Sequence, residues 1–352
     1  MKSKLCLFLV IILGLSLLLA GCGGGGGSTE GEGDADQVYE LNVHSHDPEA
    51  SATGQFLNAW AAQVEEASDG RLKLNIFHAG ALGGPRTAIE MVQNGTVDIS
   101  WGLQSFFPGQ FPVTDAFALP MSGINSAAQA SRAFWDFYTN TDYLDEEYKD
   151  FHVLLLHANC DSPISSKSVK IDTVDKLKGL NVRALSGPPN DFIMATGAAP
   201  VNVEIGELYS AIENNTIDAI IADWHIIYAR KFYEQLNYYL DEAITVNPYF
   251  LLMNKDKYNS LPEDLQKILD DASGEAALGI AGSAWDDIEA EVRGIIEERG
   301  GEIYRLDGAE KEKLQAIADE VTANWIKSMD ELGYSGQDIY DAAMESIKKF
   351  ED

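Results

Sequence analysis

The stretch from Leu177 to Tyr239 alternates between short apolar runs and amphipathic segments, and this alternation limits the possible folds more than any other feature. Apolar runs lie at Leu180–Ala184, Val201–Val203 and Ile217–Ile221, and patterns with helical spacing separate them. Alternating strands and helices of this kind form a parallel sheet with helices on its faces. We therefore predict an α/β fold.

Three side chains of different chemistry lie at or just beyond the ends of these predicted strands. Arg183 is near the end of the first strand, and Asp223 and Trp224 follow the third. Ligands of parallel sheets bind beyond the carboxyl ends of the strands, so a guanidinium, a carboxylate and an indole are expected to converge on one cleft. The alternative is a surface ion pair at Arg183. However, its flanking run is apolar, and an unpaired buried guanidinium would be costly.

Four short motifs occur in the same stretch, in the order Lys178–Arg183, Gly197–Val201, Glu207–Ile212 and Ile217–Ala219. Together they resemble the substrate-binding domain of the DctP-type solute receptors of TRAP transporters. This resemblance implies that Arg183 forms a paired contact with the carboxylate of a ligand. The shared spacing covers about forty residues, which makes the resemblance more specific than any single motif.

The first part of the chain supports the same resemblance. A β-α-β-α-β pattern runs from Tyr39 to Trp101, and family motifs recur at Asp69–Leu72, Leu82–Gly84, Val92–Asp98 and Phe117–Pro120. The glycines near Leu82 could suggest a phosphate-binding loop, but no Gly-Lys-Ser/Thr follows them.

The N-terminal residues read as a targeting segment. A basic start is followed by an apolar run from Leu5 to Ala20, and Leu19–Cys22 resembles a bacterial lipobox. We predict a lipoprotein signal peptide at residues 1–21, cleavage before Cys22 and a lipid on the Cys22 sulfur. The alternative is a transmembrane helix, for which the run is short. Residues 22–37 are rich in glycine and acidic residues and are predicted to form a flexible tether.

The remaining residues, roughly 315, are more than one compact core usually holds, so two lobes are expected. We assign residues 38–158 plus 248–287 to lobe I and residues 159–247 plus 288–352 to lobe II. The family resemblance implies a periplasmic-binding-protein-like fold with strands crossing a hinge and a long helix spanning both lobes. The C-terminal helical segment is expected to pack on lobe II.

Further ligand contacts are predicted from both lobes. His46 and Gln104 are candidates from the first lobe, and Asn159 and Tyr249 could complete the pocket. A structural role for His46 and a zinc site shared with His44 are the alternatives, but no third His or Cys lies nearby in sequence. We expect no metal and no cofactor.

The resemblance also narrows the ligand. Pro163 stands where many relatives, including sialic-acid receptors, carry a second arginine. Trp224 fits a branch of the family with a tryptophan five or six residues after the Asp218 position. These differences favour a small or flat monocarboxylate, which could be aromatic and stack on Trp224.

Charge and missing motifs exclude other functions. The formal net charge is -31, which repels nucleic acid and anionic lipid. No nucleophile elbow, zinc-protease motif or supported Cys-His pair is present, so the protein is not expected to be an enzyme. Cys160 is the only cysteine of the predicted folded body, so that body cannot hold an internal disulfide.

The combined expectation is a monomeric, lipid-anchored solute receptor outside the cytoplasmic membrane. It would capture an organic acid by hinge closure and deliver it to TRAP membrane subunits. Two alternatives remain, namely the receptor of an ABC importer, which shares the two-lobed plan, and a secreted lipoprotein enzyme.

Overall fold

The structure, a computed structural model, describes residues 37–351. The predicted signal peptide, the lipid site at Cys22 and almost all of the predicted tether lie outside these residues. Within residues 37–351, no helix combines the length and the apolar character that crossing a membrane requires.

Eleven strands and twelve helices make up the described part of the chain. The strands are β1 Tyr39–His44, β2 Leu72–Phe77, β3 Ile99–Leu103, β4 Phe151–Ala158, β5 Ser162–Ser166, β6 Asn181–Arg183, β7 Ala199–Val201, β8 Ala219–Ile221, β9 Tyr238–Thr245, β10 Pro248–Asn254 and β11 Glu302–Tyr304. The helices are α1 Ala52–Ala67, α2 Ala88–Gln93, α3 Ala127–Asn140, α4 Asp145–Tyr148, α5 Pro188–Ala195, α6 Leu208–Glu213, α7 Trp224–Ala229, α8 Lys255–Asn259, α9 Glu263–Asp271, α10 Glu275–Glu298, α11 Gly308–Glu331 and α12 Gly336–Lys349.

The first sheet has five strands in the order β2-β1-β3-β10-β4. Strands β1, β2 and β3 are parallel, whereas β10 runs antiparallel to its neighbours β3 and β4. The helix α1 covers this sheet with Phe56, Trp60 and Val64, which repeat every four residues and are fully buried. This spacing places the three side chains on one helical face, as the sequence pattern predicts.

The second sheet has six strands in the order β11-β9-β5-β8-β6-β7. Its centre is the predicted parallel arrangement, in which β6 pairs in parallel with both β7 and β8. All three residues of β8 are buried, as expected for an apolar strand covered by helices on both faces.

The chain crosses between the sheets twice at one place, from β4 to β5 and from β9 to β10. The backbone N–H of Asn159 donates to the carbonyl of Asn247, and the N–H of Asn247 donates to the Asn159 side chain at 2.6 Å. The helix α10 forms a third link, because it packs on α1 and α3 of the first sheet and on α7 and β11 of the second. The predicted two-lobed α/β fold with a helix spanning both lobes is confirmed. The lobe boundaries in sequence stay a prediction.

Three glycines interrupt the helical sequence pattern between Leu261 and Arg299, and at the first of them the chain breaks completely between α9 and α10. Gly274 adopts a φ of 51° there, and its N–H donates to the Leu154 carbonyl at 2.8 Å. Gly279 and Gly282, which also interrupt the sequence pattern, lie inside α10 without breaking it.

The C-terminal segment does not stay on the second lobe, contrary to our expectation. Leu314 and Val321 of α11 pack in the core that contains Phe192 of α5. The helix α12 packs instead on α3, and Ile339 lies in a core with Phe134. The apolar face of α12 does not reveal from sequence alone which sheet it covers, so the tail could not be assigned correctly.

Two glycines of α10 provide a test of its packing. A Cβ at Gly282 would lie 2.9 Å from Cα of Ala128 in α3, whereas a Cβ at Gly294 would meet nothing within 4 Å. We expect Gly282→Ala to lower the free energy of unfolding by about 1–2 kcal/mol, because overpacking outweighs the helix propensity gained. Gly294→Ala should raise it by about 0.5–1 kcal/mol. Urea unfolding measures both, and equal effects would contradict the close packing of α10 on α3.

Candidate functional site

The main cavity lies where the strand ends of both sheets face each other. It encloses about 460 Å³ that atoms do not fill, including its open mouth. Its walls come from segments at or next to the ends of β1, β3, β6 and β8 and the start of β10, which is the position that parallel sheets offer to ligands. The lining residues are His46, Asp47, Trp101, Leu103, Phe106, Arg183, Leu185, Ile205, Ile221, Ala222, Asp223, Ile226, Asn247 and Tyr249.

Arg183 is the last residue of β6 and brings a buried positive charge to this cavity. Its exposure is 6%, and no hydrogen bond or ion pair of its guanidinium occurs among the described residues. Burial lowers the pKa of Arg183 to about 10, while the charges of Asp223 and Glu204 act in the opposite direction. A buried guanidinium without direct partners is energetically unfavourable, so this group is poised to accept an anion.

The two carboxylates of the cavity already have other partners. Asp223 caps the N-terminus of α7 by accepting from the Ile226 N–H at 3.0 Å, and it lies 3.3 Å from Nδ1 of His225. Asp47 accepts from the Thr53 hydroxyl at 2.8 Å. Neither carboxylate therefore forms an ion pair with Arg183.

His225 and His46 differ in their electrostatic surroundings. Burial works against a charge on His225, but the Asp223 carboxylate, 3.3 Å from its Nδ1, outweighs it, so the pKa of His225 is raised. Burial dominates at His46 and lowers its pKa, although Asp47 lies 3.8 Å from its Nε2. The Nδ1 of His46 is buried without a hydrogen-bond partner among the described residues.

Aromatic rings form one wall of the cavity. Trp101 and Tyr249 stack with ring centroids 4.8 Å apart, and the His46 ring lies 5.1 Å from Trp101 and 5.5 Å from Phe106. The Trp101 indole donates to Nε2 of His157 at 3.0 Å, which holds the ring in place from behind. The cavity therefore combines a flat aromatic surface with one buried positive charge.

Four of the seven predicted ligand-binding residues line this cavity together, namely Arg183, Asp223, His46 and Tyr249. The other three do not. Trp224 is fully buried behind the wall, stacked 5.8 Å from Tyr239 and 4.0 Å below the Arg293 guanidinium. Asn159 lies at the crossing and donates to the Tyr249 hydroxyl at 3.3 Å. Gln104 faces a second cavity.

Trp224 requires a correction, because a ligand in the main cavity cannot stack on it. Trp224 is the first residue of α7, and the Asp223 side chain caps this helix. The first turn of α7 is therefore oriented with the Trp224 indole in the core. The aromatic surface belongs instead to Trp101, Phe106 and Tyr249.

Several cavity residues were not predicted, and the missed positions are mostly apolar. Leu185, Ile205, Ile226 and Asn247 come from turns and helices near the strand ends. Asp47 could have been predicted, because it lies directly after His46 in the turn that follows the first strand.

The histidines of β1 have no metal-binding surroundings in the described part of the chain. His44 is fully buried, its pKa is lowered to about 4 by burial and by the nearby His46, and both ring nitrogens lack hydrogen-bond partners there. Within residues 37–351, no group of three or more His, Cys, Asp or Glu side chains is placed to hold a metal ion.

Comparisons with known proteins agree with this geometry. The model of the DctP family, described as bacterial extracellular solute-binding protein, family 7, matches residues 43–328. The outer membrane transporter protein TsaT of Comamonas testosteroni is 27% identical over 301 residues, which cover 84% of this chain and 87% of that protein.

Two solved structures are similar over nearly their whole length. One is a TRAP solute-binding protein from an unidentified microbe of a marine metagenome, specific for aromatic acid ligands and in complex with metahydroxyphenylacetate. It is 29% identical, with a TM-score of 0.84, and the match covers 90% of this chain and 100% of that one. The other is a TRAP solute-binding protein from Rhodoferax ferrireducens with copurified benzoate, which is 28% identical, with a TM-score of 0.82 and coverage of 89% and 98%.

A two-lobed fold is compatible with the receptor of a TRAP transporter and with that of an ABC importer. These matches favour the TRAP receptor. Proteins of this family bind solutes, and TRAP receptors work with membrane subunits. The chain belongs to the DctP family of extracellular solute-binding proteins and is a TRAP-type solute receptor.

Proposed function

We propose that the main cavity binds a small aromatic monocarboxylate, which the receptor captures by hinge closure and delivers to TRAP membrane subunits. The observation that carries this proposal is the buried Arg183 guanidinium, which has no hydrogen bond or ion pair among the described residues. A bound carboxylate can accept two parallel N–H bonds from a guanidinium, and such paired contacts are among the strongest hydrogen bonds in proteins.

The ring of the ligand would lie against the aromatic wall of the cavity. Trp101 and Tyr249 present stacked rings there, and Phe106 closes one side. An aromatic ring on such a surface gains offset or edge-to-face contacts in addition to its buried area. Both similar receptors described above hold aromatic acids, which favours the same ligand class here.

The remaining predicted residues have different proposed roles. His46 would form a hydrogen bond through its unpartnered Nδ1 with a polar substituent on the ring. Asp223 would hold the first turn of α7 and the His225 ring in place at the edge of the cavity. Asn159, Gln104 and Trp224 would support the cavity without touching the ligand.

The receptor would release its ligand chemically unchanged and act as a monomer. No motif for covalent catalysis occurs in the sequence, and the two carboxylates of the cavity are already engaged, Asp223 with the Ile226 N–H and Asp47 with the Thr53 hydroxyl. Proton NMR of the acid recovered after prolonged incubation checks this, because any new product signal would indicate turnover.

Removing the Arg183 charge should abolish tight binding of aromatic acids. We expect Arg183→Gln to weaken benzoate binding by about 2–5 kcal/mol, as truncations of buried charge pairs do. Arg86→Gln is the matched control, because Arg86 lies near the cavity with its side chain 45% exposed and pairs with Glu204 at 3.5 Å. It should cost less than about 1 kcal/mol. Calorimetry measures both variants, and unchanged affinity in Arg183→Gln would refute the carboxylate contact.

The same titrations test the aromatic preference in the unmodified protein. Benzoate should bind more tightly than cyclohexanecarboxylate, which has a similar size but no aromatic face, and acetate should bind weakest. The difference between the two cyclic acids should be about 0.5–1.5 kcal/mol, the gain expected for aromatic pairs. Equal affinities would leave a general carboxylate receptor and remove the aromatic part of the proposal.

We also propose that the protein is held at the outer face of the membrane by a lipid on Cys22. The support is the order of the basic start, the apolar run and Leu19–Cys22 in the sequence. Cells grown with labelled palmitate should label the unmodified protein but not Cys22→Ala. Cys6→Ala, which changes the other cysteine of the targeting segment, should remain labelled. Labelling that persists in Cys22→Ala would exclude this anchor.

A further inference from the structure

His157 lies behind the aromatic wall of the main cavity, and the proposed acid-binding function gives it no role. It is part of β4, is fully buried and does not line the cavity. In the first sheet it lies directly opposite Tyr249 of β10. Directly opposite residues of an antiparallel pair have their side chains on the same face of the sheet. The His157 ring therefore belongs to the layer of rings from which the wall is built.

The imidazole of His157 accepts a hydrogen bond from the Trp101 indole. Nε1 of Trp101 lies 3.0 Å from Nε2 of His157. An indole N–H can only donate, so Nε2 of His157 must carry a free lone pair and no proton. The imidazole is therefore neutral, with its proton on Nδ1. Burial lowers the pKa of His157 to about 3, so the ring stays in this form at neutral pH.

This arrangement leaves the other nitrogen of the imidazole without a partner. Nδ1 of His157 is buried and has no hydrogen bond among the described residues, which costs free energy. The surroundings would suit a hydrocarbon ring, because the centroid of the His157 ring lies 5.3 Å from that of Phe56 and 5.1 Å from that of Trp285. Packing alone therefore favours phenylalanine at this position. What histidine adds is the acceptor for the Trp101 N–H.

The hydrogen bond selects one orientation of the Trp101 ring. The torsion that turns an indole about its Cβ–Cγ bond has two broad minima, which exchange the positions of its two edges. Trp101 is 1% exposed, so its N–H depends on an acceptor within the protein. In the observed orientation this N–H points to His157, away from the cavity, and the carbon atoms of the ring remain for the cavity that Trp101 lines.

We propose that His157 is a positioning residue that determines the preference of the main cavity for aromatic acids, because it holds the Trp101 N–H away from the ligand. This role rests on the proposed function, in which the ring of the ligand lies against Trp101. Contacts between aromatic rings depend on their relative orientation, so a gain beyond buried area requires a ring that is held in place. An indole that turned its N–H into the cavity would interrupt the apolar surface and lose this gain.

The second ring of the wall depends on the same hydrogen bond. Tyr249 stacks on Trp101 with ring centroids 4.8 Å apart, and its ring lies 5.2 Å from that of His157. Its hydroxyl accepts from Asn159 at the crossing between the lobes, which fixes its far end. A turned Trp101 ring would therefore meet a neighbour that cannot follow it. The loss would affect the stacked pair and not a single residue.

Two substitutions of His157 separate the acceptor from the ring. His157→Phe keeps a ring but cannot accept a hydrogen bond, whereas His157→Gln lacks the ring and keeps an acceptor in its amide oxygen. Calorimetry measures the Kd of benzoate, cyclohexanecarboxylate and acetate. The aromatic gain proposed above corresponds to about 2–13-fold tighter binding of benzoate than of cyclohexanecarboxylate. This ratio should fall by about twofold or more in His157→Phe, and His157→Gln should retain most of it. The affinity for acetate, which has no ring, should stay the same in both variants.

His44→Phe is the matched control for His157→Phe. His44 lies in β1 of the same sheet and is also fully buried, but both of its ring nitrogens lack hydrogen-bond partners among the described residues. The same substitution therefore removes an imidazole without removing an acceptor that is in use. His44→Phe should keep the benzoate preference of the unmodified protein.

The indole N–H signal of Trp101 in proton–nitrogen NMR reports on the hydrogen bond itself. The chain has 6 tryptophans, and Trp101→Phe identifies this signal by its loss. The signal should be protected from exchange with solvent in the unmodified protein, both without ligand and with benzoate, and in His157→Gln. It should exchange faster in His157→Phe.

A benzoate preference that survives in His157→Phe would overturn this role of His157, as would its loss in His157→Gln. Equal weakening of all three acids in His157→Phe would show a purely structural residue. If His157→Phe does not fold, the unmodified protein decides, because an indole N–H that loses its protection when benzoate binds is not held by His157 in the complex. An unmodified protein without any benzoate preference would instead refute the aromatic part of the proposed function, and this role with it.

Discussion

The buried Arg183 guanidinium is the constraint on which the rest of the site depends. The chain carries a net charge of -31. Among the carboxylates, Asp223 has the largest effect on the pKa of Arg183, but Asp223 already caps the first turn of α7 and lies beside His225. Covering Arg183 without an anion leaves a desolvated charge, whose cost in real proteins is several kcal/mol. In the proposed function, the carboxylate of the ligand supplies the charge that makes the covered state favourable.

Surface contacts between the lobes are too weak to replace the ligand. Arg86 of the first lobe pairs with Glu204 of the second at 3.5 Å, but both side chains are about half exposed. Such pairs contribute about 0–1 kcal/mol, which is less than the cost of covering an unpaired guanidinium. An equilibrium with this balance responds to a ligand that interacts more favourably with the closed arrangement than with the open one.

The crossing between the lobes is joined directly to the aromatic wall. The Asn159 side chain accepts from the Asn247 N–H and donates to the Tyr249 hydroxyl, so one amide links both crossing segments to a ring that lines the cavity. Tyr249 in turn stacks on Trp101 of the first sheet. A rotation of the lobes about this crossing must therefore act on the surface against which a ring would lie.

The parts of the site predictable from sequence are those that strand ends determine. Arg183 and His46 lie at or just after strands that the apolar pattern of the sequence predicts. In a parallel sheet the carboxyl ends of the strands lie at the same edge, so such residues come close together. Trp224 also follows a strand, but its direction depends on the Asp223 cap and on Arg293 of α10, a contact distant in sequence. Gln104 does not line the main cavity, because its side-chain amide donates a hydrogen bond to the Tyr148 hydroxyl. No local sequence pattern indicates this contact.

The packing of the last helix was unpredictable for the same reason. The apolar face of α12 is evident from its periodicity, but periodicity does not say which sheet will cover it. The structure places α12 on α3, while the first half of α11 stays with α5. The chain thus crosses between the lobes once more through α11, at Trp325, whose indole donates to the Pro112 carbonyl of the first lobe.

The turn after β6 joins the two cavities. Arg183 ends the strand, Leu185 lines the main cavity, and Ser186 and Gly187 line the second. Gly187 has a φ of 84°, and a side chain there would press against the carboxylate of Asp115. A buried cationic side chain and an unpaired carboxylate thus lie against opposite ends of one short turn. A ligand bound to Arg183 in the proposed function would therefore act on one end of a turn whose other end already lies against the first lobe.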